Sequence, residues 1–175
     1  MQKKARLTPK FLSICAVLAA FSIVLGKYLA INVGENFRFS LENLPLVLAG
    51  IYLGPVAGAF VGAAADLVGC LLVGYAINPI ITLGAVSIGL VSGIVSLFLR
   101  NKGSMKLAVS LFFAHLIGSV LIKTFGLFVY YGSPFFATLW LRFLIYSGTG
   151  IVEFFILYFL SKNRAFVKQM QSLTA

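Results

Sequence analysis

The sequence predicts an all-α integral membrane protein, a single membrane domain over residues 1–175 with six transmembrane helices and both termini in the cytoplasm. Three observations predict it. First, 61% of the residues are hydrophobic and 10% charged, with a mean hydropathy of +1.04; a globule this small exposes too much of its surface to hide that much apolar matter from water. Second, the apolar residues gather into runs parted by short polar or Gly/Pro breaks, the longer runs near the roughly 20 residues that a crossing needs. Third, both ends are basic, and the other strongly basic segment, Arg100 to Lys106, falls on the same side once six crossings are drawn. The positive-inside rule puts that side in the cytoplasm. The net charge of +10 is then explained by topology and anionic headgroups, and nucleic acid is not called for.

The first helix is read over about 11–31. Lys3, Lys4, Arg6 and Lys10 before it resemble the start of a signal peptide, but the run outlasts the roughly 7–15 residues of a secretory apolar region, so it is read as retained. It carries Ala16-x-x-x-Ala20, a spacing of small residues that lets another helix approach closely, either inside the bundle or from a partner. Asn32 to Ser40 reads as a polar loop holding Glu35 and Arg38. The second helix, about 43–53, has Asn43 as N-cap and Pro45 in its first turn; it is short for a span and starts deep or tilts. Gly54-Pro55 makes a tight turn. The third helix, about 56–73, is lined with Gly58, Gly62 and neighbouring alanines around Asp66. A second short loop leads to the fourth helix, about 79–99, ended by Arg100-Asn101-Lys102-Gly103. The fifth and sixth helices cover about 106–130 and 136–160. Cys15 and Cys70 read as small packing residues with no disulfide.

The positive-inside rule leaves Lys27, Arg38, Lys123 and Arg142 unexplained. Lys123 and Arg142 lie about 10 Å and 8 Å below the outer ends of their helices. Each would cost about 2.5–3.5 kcal/mol in lipid, so each should face a cavity or a counter-charge. Helical spacing aligns His115, Ser119, Lys123, Gly126 and Tyr130 on the fifth helix, and Arg142, Tyr146, Thr149 and Glu153 on the sixth. Asn78, Thr82, Ala85, Gly89, Ser92 and Ser96 form a small and polar stripe on the fourth. Three such stripes can enclose a pocket, or can bond to one another as bundle glue. Two cations at similar depth favour the pocket, with an anionic solute as their answer. Tyr130, Trp140 and Tyr146 lie at the same level and suit a flat ring held by stacking, beyond their ordinary place in an interfacial belt. His115 and Glu153 are expected to pair. No nucleotide-binding loop, zinc motif or paired carboxylates occur, so neither an enzyme nor a cofactor is expected.

On Arg38-Phe39-Ser40-x-x-Asn43-Leu44-Pro45, the turn at Gly50 to Pro55, Gly62-x-x-x-Asp66-x-x-Gly69 and Ala16-x-x-x-Ala20, the chain resembles the substrate-binding S components of energy-coupling factor (ECF) vitamin transporters, and among these the folate-specific FolT family. The resemblance implies an S-component-like bundle in the bacterial plasma membrane. It implies a site at the outer side, built from the first long loop and helices four to six. It also implies partners, a transmembrane coupling subunit that meets Ala16 and Ala20 and two cytoplasmic ATPases. Folate binding is then expected from Arg38, Lys123 and Arg142 on carboxylates, Tyr130, Trp140 and Tyr146 stacking, and Asn78 hydrogen-bonding. Asp66 is assigned to structure or gating. Another anionic vitamin, such as pantothenate or niacin, or a stand-alone secondary carrier, is the alternative.

Overall fold

A computed structural model describes residues 8–33 and 37–172, without the side chains of 32, 33, 37, 38 and 171. Thr8 caps the first helix, accepting from the Phe11 amide, and Pro9 opens it. That helix is α1 (Pro9–Ile23), and it runs on through a widened π segment, Val24–Tyr28. The polar loop that follows contains a hairpin, β1 (Ile31–Val33) against β2 (Phe37–Phe39), antiparallel with Asn32 opposite Arg38. The short α2 (Asn43–Leu53) turns into α3 (Pro55–Val73) at Gly54, whose φ of 104° is open only to glycine, with Pro55 in the first turn of the new helix. Next come α4 (Pro79–Phe98) and α5 (Gly103–Ala114). A π segment, His115–Ile122, joins α5 to α6 (Lys123–Tyr131), and α7 (Phe135–Lys162) follows. The amphipathic α8 (Arg164–Ser172) closes the described chain.

Five of these segments, counting α1 with its π extension as one and α5, its π segment and α6 as one, are long and apolar enough to cross a membrane. Helix α2 is not. Its 11 residues reach about 16 Å, roughly half a hydrocarbon core. Yet it is the most buried element, with Leu46, Val47, Ala49 and Ile51 at 4% exposure or less. It fits between its neighbours because glycines remove side chains where backbones cross. A methyl on Gly58 or Gly89 would run into the other's main chain, and one on Gly50 would meet Ser92 and Gly89. The small and polar stripe of α4 is therefore spent on packing: Ala85, Gly89 and Ser92 face α2 and α3. The pocket-lining part expected for that stripe passes to the last two spans.

The far end of α2 is fixed by Tyr52, whose ring meets Phe166 of α8 edge-on at 5.6 Å and lies under the Lys106 ammonium at 5.9 Å. Asn163 caps α8 by accepting from the Ala165 and Phe166 amides. The basic start of α5, the basic α8 and the last turn of α2 thus share one face of the bundle. Counted back from that face, the first turn of α2 begins deep inside.

Candidate functional site

The depth of α2 brings the residues before and at its start against the segment that runs from α5 to α6. Glu42, just ahead of the helix, accepts a hydrogen bond from Lys123 Nζ at 2.9 Å. Asn43, expected to cap the helix, instead sends its Nδ2 across the bundle to Ser119 Oγ, 3.2 Å away. Ser119 is a junction. Its hydroxyl lies 3.3 Å from His115 Nδ1, and its carbonyl accepts from Arg142 Nε at 2.9 Å. His115 Nε2 meets Glu153 Oε2 at 2.7 Å, and Glu153 is wholly buried. One donor pattern satisfies the chain: Asn43 donates to Ser119, Ser119 to His115, and His115 Nε2–H to the carboxylate.

The π segment makes this junction possible. An i→i+5 turn widens the helix locally and leaves backbone acceptors for side chains, which is why such turns gather at working sites. Here it lies beside α4 at a close crossing, where a methyl on Gly118 would meet the Gly84 carbonyl at 2.8 Å and one on Gly84 the Lys123 stem at 2.6 Å.

Beside the junction, three flat groups are layered. The Arg142 guanidinium sits 5.2 Å over the Tyr146 ring and donates to its hydroxyl at 3.3 Å. Tyr146 in turn stacks on His115, with centroids 5.2 Å apart and planes 26° from parallel. Tyr146 and His115 form one wall of a hollow of about 540 Å³ between the last two spans, completed by Leu116, Val120, Phe143 and Phe154. That volume falls within the range of small-molecule sites.

A second, narrow crevice of about 20 Å³ lies between α1 to α4 and the start of α6. Lys27, Glu42, Asp66 and Lys123 line it. Asp66 accepts from Thr82 at 2.7 Å, and Lys27 lies 5.3 Å over the Tyr75 ring with its stem against Gly69.

The residues expected to bind substrate are thus not gathered in one place. Arg142 and Tyr146 stand together, Tyr146 on the wall of the hollow and Arg142 stacked on its ring. Lys123, 6% exposed, belongs to the crevice, and its charge is already answered by Glu42. The picture of two cations both awaiting a ligand is corrected for Lys123; Arg142 has a carbonyl and a phenol, and no carboxylate partner among the described residues. Asn78 caps α4, accepting from the Ile80 and Ile81 amides, and its Nδ2 donates to the Gly126 carbonyl at 3.2 Å. Tyr130 and Trp140 are 53% and 65% exposed, on the outside of the bundle. Arg38 pairs with Asn32 along the hairpin backbone, and its side chain lies outside the described residues. On α1, Ala16 and Ala20 are exposed while Ala19, Ser22 and Ile23 turn inward. Sequence reasoning passed over Glu42, which stands in the loop as an ordinary acid; its signal was the need of Lys123 for a partner.

The profile of the family described as "ECF transporter, substrate-specific component" matches residues 10–162. No curated protein matches the sequence at a significant level. Three solved structures share the fold. FolT bound with folic acid superposes with a TM-score of 0.73 at 22% identity, covering 89% of this chain and 94% of that one. ThiT from Listeria monocytogenes gives 0.64 at 22% identity, covering 90% and 96%. The S component for biotin from an ECF-type ABC transporter gives 0.63 at 19% identity, covering 90% and 96%. At these identities the likeness is one of fold.

Proposed function

The chain belongs to the family of ECF transporter substrate-specific components, membrane proteins that bind a transporter's substrate and are not enzymes, and from that premise we propose that it captures folate for uptake across a bacterial plasma membrane. The supporting observation is the layered Arg142, Tyr146 and His115 beside a hollow of about 540 Å³. Arg142 offers a fork of donors to a carboxylate, and Tyr146, layered between it and His115, adds an aromatic group to the wall of the hollow. Arg38, on the first loop, is the second cation assigned to the ligand. Tyr130 and Trp140 sit at the membrane interface, and Asn78 and Asp66 hold α4 to its neighbours.

Six crossings with both ends inside remain the reading of the topology, the short α2 counting as the second. The shared face of Lys106, Tyr52 and Phe166 supports it. The exposed Ala16 and Ala20 form the surface for a transmembrane coupling subunit, whose two cytoplasmic ATPases supply the energy.

A second reading, capture of a singly charged vitamin such as pantothenate or niacin, is favoured by the pairing of Lys123 with Glu42, which leaves fewer free cations for a dianion. Calorimetry on the purified chain with folate, pantothenate and niacin decides between them. Tight binding of folate alone supports the first; tight binding of another with none of folate overturns it. A stand-alone carrier would move its substrate in liposomes without partners.

A further inference from the structure

Lys123 carries a charge that the interior cannot leave unanswered, and Glu42 answers it at 2.9 Å. The acid is not in place by chance of a surface contact. Ser22 of α1 donates to its carbonyl at 2.6 Å. Its carboxylate lies against Gly26, where a Cβ would come within 2.7 Å of Oε2. Glycine at that point of α1 leaves room for a carboxylate. Around it, among the described residues, Lys27 and Lys123 face Glu42 and Asp66 in a crevice of about 20 Å³, which admits no more than about one water. No organic ligand fits there while Glu42 is in place.

Glu42 is also the residue that joins the first loop to α2. Asn43, next to it, is tied to Ser119, and Ser119 to Arg142 and His115. Ser119, whose carbonyl holds Arg142, stands about one helical turn before Lys123 on the same span, which is how near to Lys123 a carboxylate beside Arg142 arrives. It carries the charge that Glu42 now supplies.

We propose that Glu42 is an internal stand-in for a substrate carboxylate, holding Lys123 while the site is empty and giving way to an anionic substrate. This rests on the reading of an anionic substrate above, though not on folate in particular. Ligand and Glu42 compete for one ammonium. Removing the internal competitor strengthens binding of anions and does nothing for a cation.

The test is calorimetry on the full chain in detergent with folate, pantothenate, niacin and the cation thiamine. Whichever anion the unmodified protein binds, Glu42→Gln is expected to bind it at least about five-fold more tightly, the lower end of measured couplings between sites. The double change with Lys123→Met is expected to lose that gain. Unchanged or weaker anion binding by Glu42→Gln, with ordinary melting, overturns the proposal; so does a protein that binds thiamine only or none of the three anions. Should Glu42→Gln not fold, Glu42→Asp, which shortens the reach to Lys123, must show a smaller gain in the same direction, and no gain overturns the idea. Folate failing while pantothenate or niacin binds more tightly to the variant sinks the folate reading and leaves this one standing.

Discussion

At the scale of single residues, charge in an apolar setting does most to organise the molecule. Lys123 and Arg142 both sit on spans that must meet lipid, and each has a different answer: an acid for one, a carbonyl and a phenol for the other. Arg142 is therefore the residue whose loss should be felt by an anionic ligand. Arg142→Ala is expected to weaken binding by at least about ten-fold, the loss of one charged hydrogen-bond pair; titration calorimetry measures it, and unchanged affinity would remove Arg142 from the site. The need for a partner was legible in the sequence for both cations, and so was the pairing of His115 with Glu153, now at 2.7 Å. Which acid serves Lys123 was not. Glu42 is 81 positions away along the chain, and only the depth of α2 brings the two together.

At the scale of elements, the long helices could be read from apolar runs, and the turn at Gly54-Pro55 from its two residues. The hairpin, the π segments and α8 could not. Three-residue strands carry too little alternation to register, π turns have no residue signature, and α8 is short and polar on one face. The α4 stripe was misjudged because small residues suit both a pocket and a close crossing. That crossing gives a prediction. Gly89→Leu should destabilise the bundle by about 1–3 kcal/mol or more, since backbone and not a flexible side chain would have to move; thermal melting in detergent checks it. Helix α1 gives another. Replacing Ala16 and Ala20 by leucine, on a face turned outward, should leave ligand affinity unchanged and abolish uptake in cells carrying the whole transporter. Uptake at the ordinary rate would remove that face from the docking role.

At the scale of the whole molecule, the fold sets a bundle with one basic face and a hollow on its flank between the last two spans. A single cysteine at Ser172, with Cys15 and Cys70 replaced, should react with a membrane-impermeant maleimide only after the cells are opened; labelling of intact cells would reverse the orientation. The half-length of α2 also carries an electrical consequence. Because Asn43 lies about 16 Å from the basic face, a charged solute reaching its level has already traversed some half of the insulating layer. With a negative interior, that position opposes an anion by about 1 kcal/mol per charge for each 100 mV. With the proposed anionic substrate and both termini inside, capture by energised cells is expected to be weaker than capture in detergent, and a double negative charge to feel the difference twice.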